Sequence, residues 1–310
     1  MSLSPPGVPG SELLTDFHEL RRLGRGTFVG VRYPYVYMET PKAACSTMKA
    51  ILLDLEQRSE RARQLMEESQ HTLGVHDRRI NEFAGLADVT TEERHRLLNS
   101  PGVTRFCVVR NPYARLASAW INKIRMPRQA FVGLREQIHA SAGRTPDTTV
   151  APPFADFVHW LAAGAPQSIR QGDVHWRRMS DLVLWNTISY THVLRAESLV
   201  EDLQPVLDAL GHDASAGDLI ARHTANVSRP YDWKELYDHE LAAEVHRLYE
   251  PDFANFGYDP ESWQWTPEEL HAASTTAYWE DRLVSLERWV DAELGIDEVE
   301  PSFRRRRLQR

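Results

Sequence analysis

The sequence predicts an α/β fold: a central parallel sheet flanked by helices, followed by a helical C-terminal extension. Two observations carry this. Short apolar segments at residues 33–40, 105–109 and 190–194 have the length and composition of buried strands. Each is followed by a stretch with helical character, and alternating strands and helices pack as a mainly parallel sheet with helices on its faces. Ligands in such sheets sit at the carboxyl ends of the strands, so the strand–helix turns are the places to search for chemistry.

Residues 1–12 read as a loose leader. Tyr33–Thr40 (YPYVYMET) is an aromatic-rich strand, and Pro41–Thr47 a turn. Ser46–Arg58 is a helix, because Met48, Ile51, Leu52 and Leu55 share one face. Residues 59–100 are charged and read as helical or irregular. Arg105–Val109 (RFCVV) is a buried strand. Asn111 and Pro112 then start a helix, an N-cap residue type followed by proline at the first helical position. Residues 124–152, basic and then rich in Ser, Thr, Pro and Gly, are expected to be a long loop. Phe154–Ala163 is a helix, Tyr190–Leu194 the third strand, and Leu199–Leu210 the helix after it. Near the end, Trp279, Leu283, Leu286 and Val290 share a helix face that ends at Gly295. That face can cap the domain or join two copies as a homodimer. The Arg304–Arg307 run reads as a frayed tail.

The 310 residues fit one α/β domain: a leader, a core over about 30–260 and an extension over about 261–310. With 42% hydrophobic and 26% charged residues, the chain has ordinary globular usage. No apolar run approaches the roughly 20 residues needed to cross a bilayer. A formal net charge of −8 argues against a general nucleic-acid binder. Two cysteines, Cys45 and Cys107, make no disulfide scaffold, and a cytoplasmic setting is the simplest expectation.

Two turns are suited to anions. Pro41-Lys42-Ala43-Ala44-Cys45-Ser46-Thr47 lies between a strand and a helix. A helix N-terminus offers unpaired N–H groups and a positive dipole end. Lys42 adds a charge, Ser46 and Thr47 add hydroxyls, and Ala43 and Ala44 allow close approach of the backbone. Taken alone, the more ordinary reading is a strand–helix connection with a solvated lysine. The turn is P-loop-like in placement, but it lacks the G-x-x-x-x-G-K-[ST] spacing of a magnesium–nucleotide site. In the second unit Arg110 ends a strand, and its planar donor fork suits a phosphate. Ser118 lies about two helical turns beyond Asn111. Arg115 can simply brace the helix. Two such turns imply one ligand with two separated phosphate groups.

At this point the segments resemble the carbohydrate sulfotransferase family (sulfotransferase family 2) that uses 3′-phosphoadenosine-5′-phosphosulfate (PAPS), including the chondroitin/dermatan 4-O- and HNK-1-type enzymes. Pro41, Lys42, Cys45, Ser46 and Lys49 match its P-K-x-x-C-[ST]-x-x-K motif. Val109, Arg110, Pro112, Tyr113, Arg115, Leu116, Ser118 and Ala119 match V-R-[DE]-P-[FY]-x-R-L-x-S-A, with Asn111 replacing the acid. His175-Trp176-Arg177 matches H-W-R-P, with Arg178 in place of the proline. Glu197–Leu203 resembles E-T-L-x-x-D-L, and Tyr249–Tyr258 resembles Y-x-x-D-F-x-x-F-G-Y.

The resemblance implies a P-loop-like core and PAPS as sulfuryl donor, with no metal. It also implies a hydroxyl-bearing glycan or small-molecule acceptor. The first turn would cradle the 5′-phosphosulfate, with Lys42 stabilising charge on the leaving oxygens. Arg110 and Ser118 would hold the 3′-phosphate, and Arg229, in the segment His223–Pro230, would lie against the nucleotide. The acceptor hydroxyl needs a base, for which imidazole is suited. His76 lies between the two nucleotide motifs, where related enzymes place a histidine; His175 competes, against a packing role beside Trp176. His71, His95 and Glu82 stay open as further bases. Two other classes also stay open: a P-loop-type phosphotransferase and a non-catalytic nucleotide binder.

Overall fold

A computed structural model describes residues 23–57, 81–126, 129–145, 149–164, 167–170, 172–223 and 233–274. These belong to two compact units, one ending at Trp265 and the other starting at Thr266.

In the first unit, β1 (Thr27–Val29), β2 (Tyr35–Met38), β3 (Thr104–Val109) and β4 (His192–Arg195) lie side by side in chain order. β2, β3 and β4 are parallel, whereas β1 runs antiparallel to β2. The sheet is therefore small and mixed, which corrects the expectation of a central parallel sheet. The cause is the connection. Residues 30–34 are far too few for a parallel crossover, which takes a dozen or more, so the chain must turn back. Gly30 permits the turn, since a Cβ there would lie 2.2 Å from the Tyr33 carbonyl oxygen.

Each expected strand is present with its ends shifted. β3 begins one residue early, and β4 starts at His192 because Tyr190 instead stacks on Trp185. Alternation along the strands divides the core. Val36, Met38, Cys107 and Val109 face one side, packed with α3 (Pro112–Ala119), α5 (Phe154–Ala163) and α8 (His239–Phe256). Tyr35, Tyr37, Phe106, Val108 and Leu194 face the other, packed with α1 (Cys45–Leu55), α6 (Leu199–Ala209) and α7 (Ala216–His223). The six residues of β3 are all buried, as befits an inner strand covered on both faces.

Residues 91–99 form α2 (Thr91–Asn99). The expected loop over 124–152 instead contains a 3-10 turn at Gln129–Phe131 and α4 (Val132–Ser141). Its apolar stripe is only Phe131, Leu134 and Ile138, diluted by Arg, Glu and Gln. Ile138 is buried, and Phe131 and Leu134 pack on the core. Burial of the stripe overrides a weak local signal.

In the second unit, α9 (Pro267–Ser274) opens with a reciprocal cap. Glu269 Oε2 accepts from the Thr266 N–H at 2.6 Å, and Thr266 Oγ1 accepts from the Glu269 N–H at 3.2 Å. The expected stripe from Trp279 to Val290 lies outside the described residues. Among the described residues no helix is long and apolar enough to cross a membrane.

Candidate functional site

The Pro41–Ala44 turn follows the carboxyl end of β2. Lys42 has φ +69° and Ala44 φ +51°, with Ala43 outside that region between them. Two non-glycine residues in the left-handed region are costly, on the order of 1–3 kcal/mol each. Within the turn the Ala43 N–H donates to the Thr40 carbonyl at 3.2 Å. Ala44 is the N-cap of α1, no side chain caps that end, and its first turn holds no acid. Thr40, at the entrance of the turn, buries its hydroxyl without a hydrogen-bond partner among the described residues. Burial, and secondarily Glu39, push the Cys45 thiol up, away from the thiolate form. Lys49, one turn into α1, is buried against Glu39 at 2.8 Å.

The second motif meets the first. Asn111 caps α3, its Oδ1 accepting from the N–H groups of Tyr113 and Ala114 at 3.0 and 3.2 Å. Its Nδ2 donates to Ser262 Oγ at 2.7 Å, which an acid at this position cannot do. Arg110 Nη1 donates to the Lys42 carbonyl at 3.1 Å, tying the end of β3 to the first turn. That guanidinium makes no other side-chain hydrogen bond among the described residues, and the Glu197 carboxylate is its acidic neighbour. Arg115, 2% exposed, donates from Nε to the Pro41 carbonyl at 3.0 Å. Its Nη1 and Nη2 reach the carbonyls of Arg177 (2.7 Å) and Val174 (3.2 Å). Ser118 is half-buried on the last turn of α3.

His175 sits in the segment that Arg115 holds. Its Nδ1 bonds Asp173 Oδ1, and its N–H donates to the same oxygen at 3.0 Å. Burial holds the imidazole below its ordinary range. Asp173 opposes that, while the positive charges of Lys123 and Lys42 reinforce it. Burial also works against the Asp173 carboxylate, but its bonds to His175 outweigh it and hold the group low. Lys42 and His175 are thus within electrostatic reach of one another.

Lys42, Arg110, Arg115 and His175 are brought together. His76 and Arg229 lie outside the described residues. His95 is exposed on α2, and Glu82 is exposed with φ +57°. Two contributors were missed in the sequence. Asp173 precedes His175 by two residues, the spacing of an Asx turn, and that signal was available. Lys123 sits on a π-helical turn, Trp120–Arg125, that continues α3. Such turns often mark functional sites but have no sequence signature. No group of three or more His, Cys, Asp or Glu is placed to hold a metal among the described residues.

Curated relatives are distant. The chain is 24% identical to carbohydrate sulfotransferase 12 of Mus musculus over 73% of its own length and 58% of that protein's. It is 29% identical to carbohydrate sulfotransferase 14 of Mus musculus, over 66% and 51%. It is 27% identical to carbohydrate sulfotransferase 9 of Homo sapiens, over 63% and 42%. It thus spans roughly half the length of these three relatives. No solved structure matches the chain. Residues 25–259 match the Sulfotransferase family, and the chain belongs to it.

Proposed function

We propose that the chain transfers the sulfuryl group of PAPS to a hydroxyl of a carbohydrate or another small hydroxylated acceptor. One observation carries the reading: Arg110 donates to the Lys42 carbonyl, so the two motif turns meet, and the charge of Lys42 is felt at the His175 imidazole. The residues fit the nucleotide. The N-terminal end of α1, which no side chain caps, and the Thr40 hydroxyl, without a hydrogen-bond partner among the described residues, suit the 5′-phosphosulfate. The guanidinium of Arg110, with Ser118, suits the 3′-phosphate; Arg229, outside the described residues, is a nucleotide contact on the family resemblance alone. PAPS supplies the sulfuryl group and departs as adenosine 3′,5′-bisphosphate.

The protein's part is electrostatic and protolytic. With PAPS held there, transfer of its sulfuryl group to the acceptor oxygen would leave the electron pair of the broken sulfur–oxygen bond on the phosphate. Lys42 and the dipole of α1 stabilise that charge. The proton of the acceptor hydroxyl goes to His175 Nε2, because Asp173 already engages Nδ1 and fixes the ring. The Asp173 pairing supports His175 as the base, and His76, which lies outside the described residues, stays the alternative.

The test is thermal unfolding with nucleotides, followed by product analysis. Adenosine 3′,5′-bisphosphate at 100 times its dissociation constant should stabilise the fold by about 2.7 kcal/mol without added metal. ATP, lacking the 3′-phosphate, should stabilise much less. Equal stabilisation by ATP with magnesium supports a phosphotransferase instead.

A further inference from the structure

We propose that Arg115 is a positioning residue that couples the nucleotide turn to the loop carrying His175; this rests on the sulfotransferase reading above. Its guanidinium spans two segments more than 130 residues apart in the chain. One acceptor, the Pro41 carbonyl, immediately precedes Lys42. The other two, Val174 and Arg177, flank His175 on either side. The guanidinium is planar and rigid, so three carbonyls bonded by it are fixed relative to one another. Lys42 and His175 then hold a set separation, as in-line transfer between a leaving and an attacking oxygen requires.

The far side of the His175 loop is anchored separately. Asp252, fully buried on α8, accepts from the N–H groups of Met179 and Ser180 at 2.7 and 2.8 Å. Arg178 Nε donates to the Leu248 carbonyl at 2.8 Å, and the Tyr249 hydroxyl donates to the Trp176 carbonyl at 2.5 Å. These contacts pin the loop to α8 near its kink at Tyr249, two residues before Pro251. They set the loop but do not reach the nucleotide turn. Arg115 does.

Lysine at this position keeps the charge but cannot bond three carbonyls in one plane. Arg115→Lys should lower turnover per folded molecule by roughly tenfold to a hundredfold, the scale of a misplaced reacting group. Affinity for adenosine 3′,5′-bisphosphate should stay within about threefold, under 1 kcal/mol. The acid limb of the turnover profile should move up as His175 loosens. The charged groups facing that imidazole are Asp173 on its own loop, Lys42 on the turn and Lys123 on the π-helical turn.

A second measurement uses the parent protein and needs no turnover. The N–H groups of Trp176 and Arg177 both bond the Asp173 carbonyl, at 3.1 and 3.2 Å. Saturating adenosine 3′,5′-bisphosphate should slow their hydrogen exchange, and in Arg115→Lys that slowing should vanish. The inference is overturned if Arg115→Lys lowers only the melting temperature and keeps parental turnover, acid limb and exchange. It is also overturned if nucleotide affinity falls as far as turnover, which would make Arg115 a nucleotide contact. If the variant does not fold, exchange in the parent decides: no nucleotide-dependent slowing overturns the coupling. A parent that binds no adenosine 3′,5′-bisphosphate and transfers no sulfuryl group overturns the underlying reading, and the inference with it.

Discussion

A histidine serves as a base only when neutral, and the surroundings of His175 favour that form. Burial comes first, with Lys123 and Lys42 adding to it against Asp173. The folded value therefore lies below the ordinary 6.5. A histidine depressed in this way leaves stability intact above 6.5 and lowers it as pH falls from there through the folded value. The acid limb of turnover should likewise lie below 6.5. Lys123→Met removes one positive neighbour and should raise that limb; a pH profile that stays put contradicts the placement. His175→Ala should cut turnover by about 10²–10⁴-fold with nucleotide affinity nearly unchanged. If His76→Ala does this instead and His175→Ala loses only stability, the two roles are exchanged. Lys42→Ala should act mainly on turnover, because its charge matters most as the leaving oxygen gains charge. Arg110→Ala should act mainly on nucleotide affinity, costing on the order of 1.5–3 kcal/mol by titration calorimetry. Lys42 and Arg110 were legible in the sequence because each sits at a strand end in a spaced motif. The Asp173–His175 pair was less so, since the same spacing serves any Asx turn.

At the scale of elements, α3 was readable because its start is chemical: Asn111 as cap and Pro112 at the first helical position. The structure adds why the cap is an amide. Ser262 Oγ spends its own proton on the Asp259 carbonyl and accepts from Asn111 Nδ2. Asn111→Ala should cost about 0.5–2 kcal/mol for the lost cap. Asn111→Asp keeps the cap and suits the helix dipole, yet leaves Ser262 without its donor, a penalty of about 1–3 kcal/mol. Thermal or urea unfolding checks both; an Asp variant as stable as the parent contradicts this role for Ser262. α5 matched its expected bounds, Phe154–Ala163, because its apolar positions recur through the whole segment. α4 was not legible, since three apolar residues among charged ones reveal a helix only once a core is there to bury them. β1 has three residues and no alternation long enough to register, and its absence from the sequence reading is why a parallel sheet was expected.

Across the first unit, the motifs form one connected set rather than separate marks on the chain. Glu197 Oε1 accepts from the Asn111 N–H at 2.8 Å, and its Oε2 accepts from the Tyr258 hydroxyl at 3.1 Å. Asp252 holds the loop after His175, and Arg115 holds that loop to the first turn. Segments far apart in sequence therefore converge near the carboxyl ends of the parallel strands, where a strand–helix architecture places its ligands. The order of the motifs was legible in the sequence; their convergence was not, because it depends on buried side chains reaching backbone carbonyls. The central claim is sulfuryl transfer from PAPS, and the most direct measurement is mass spectrometry of a hydroxylated acceptor panel incubated with isotope-labelled PAPS. The account predicts labelled sulfate on at least one carbohydrate or small alcohol, one adenosine 3′,5′-bisphosphate per product, and loss of product in His175→Ala. Tight binding of adenosine 3′,5′-bisphosphate with no labelled product on any acceptor would contradict it and leave a nucleotide binder.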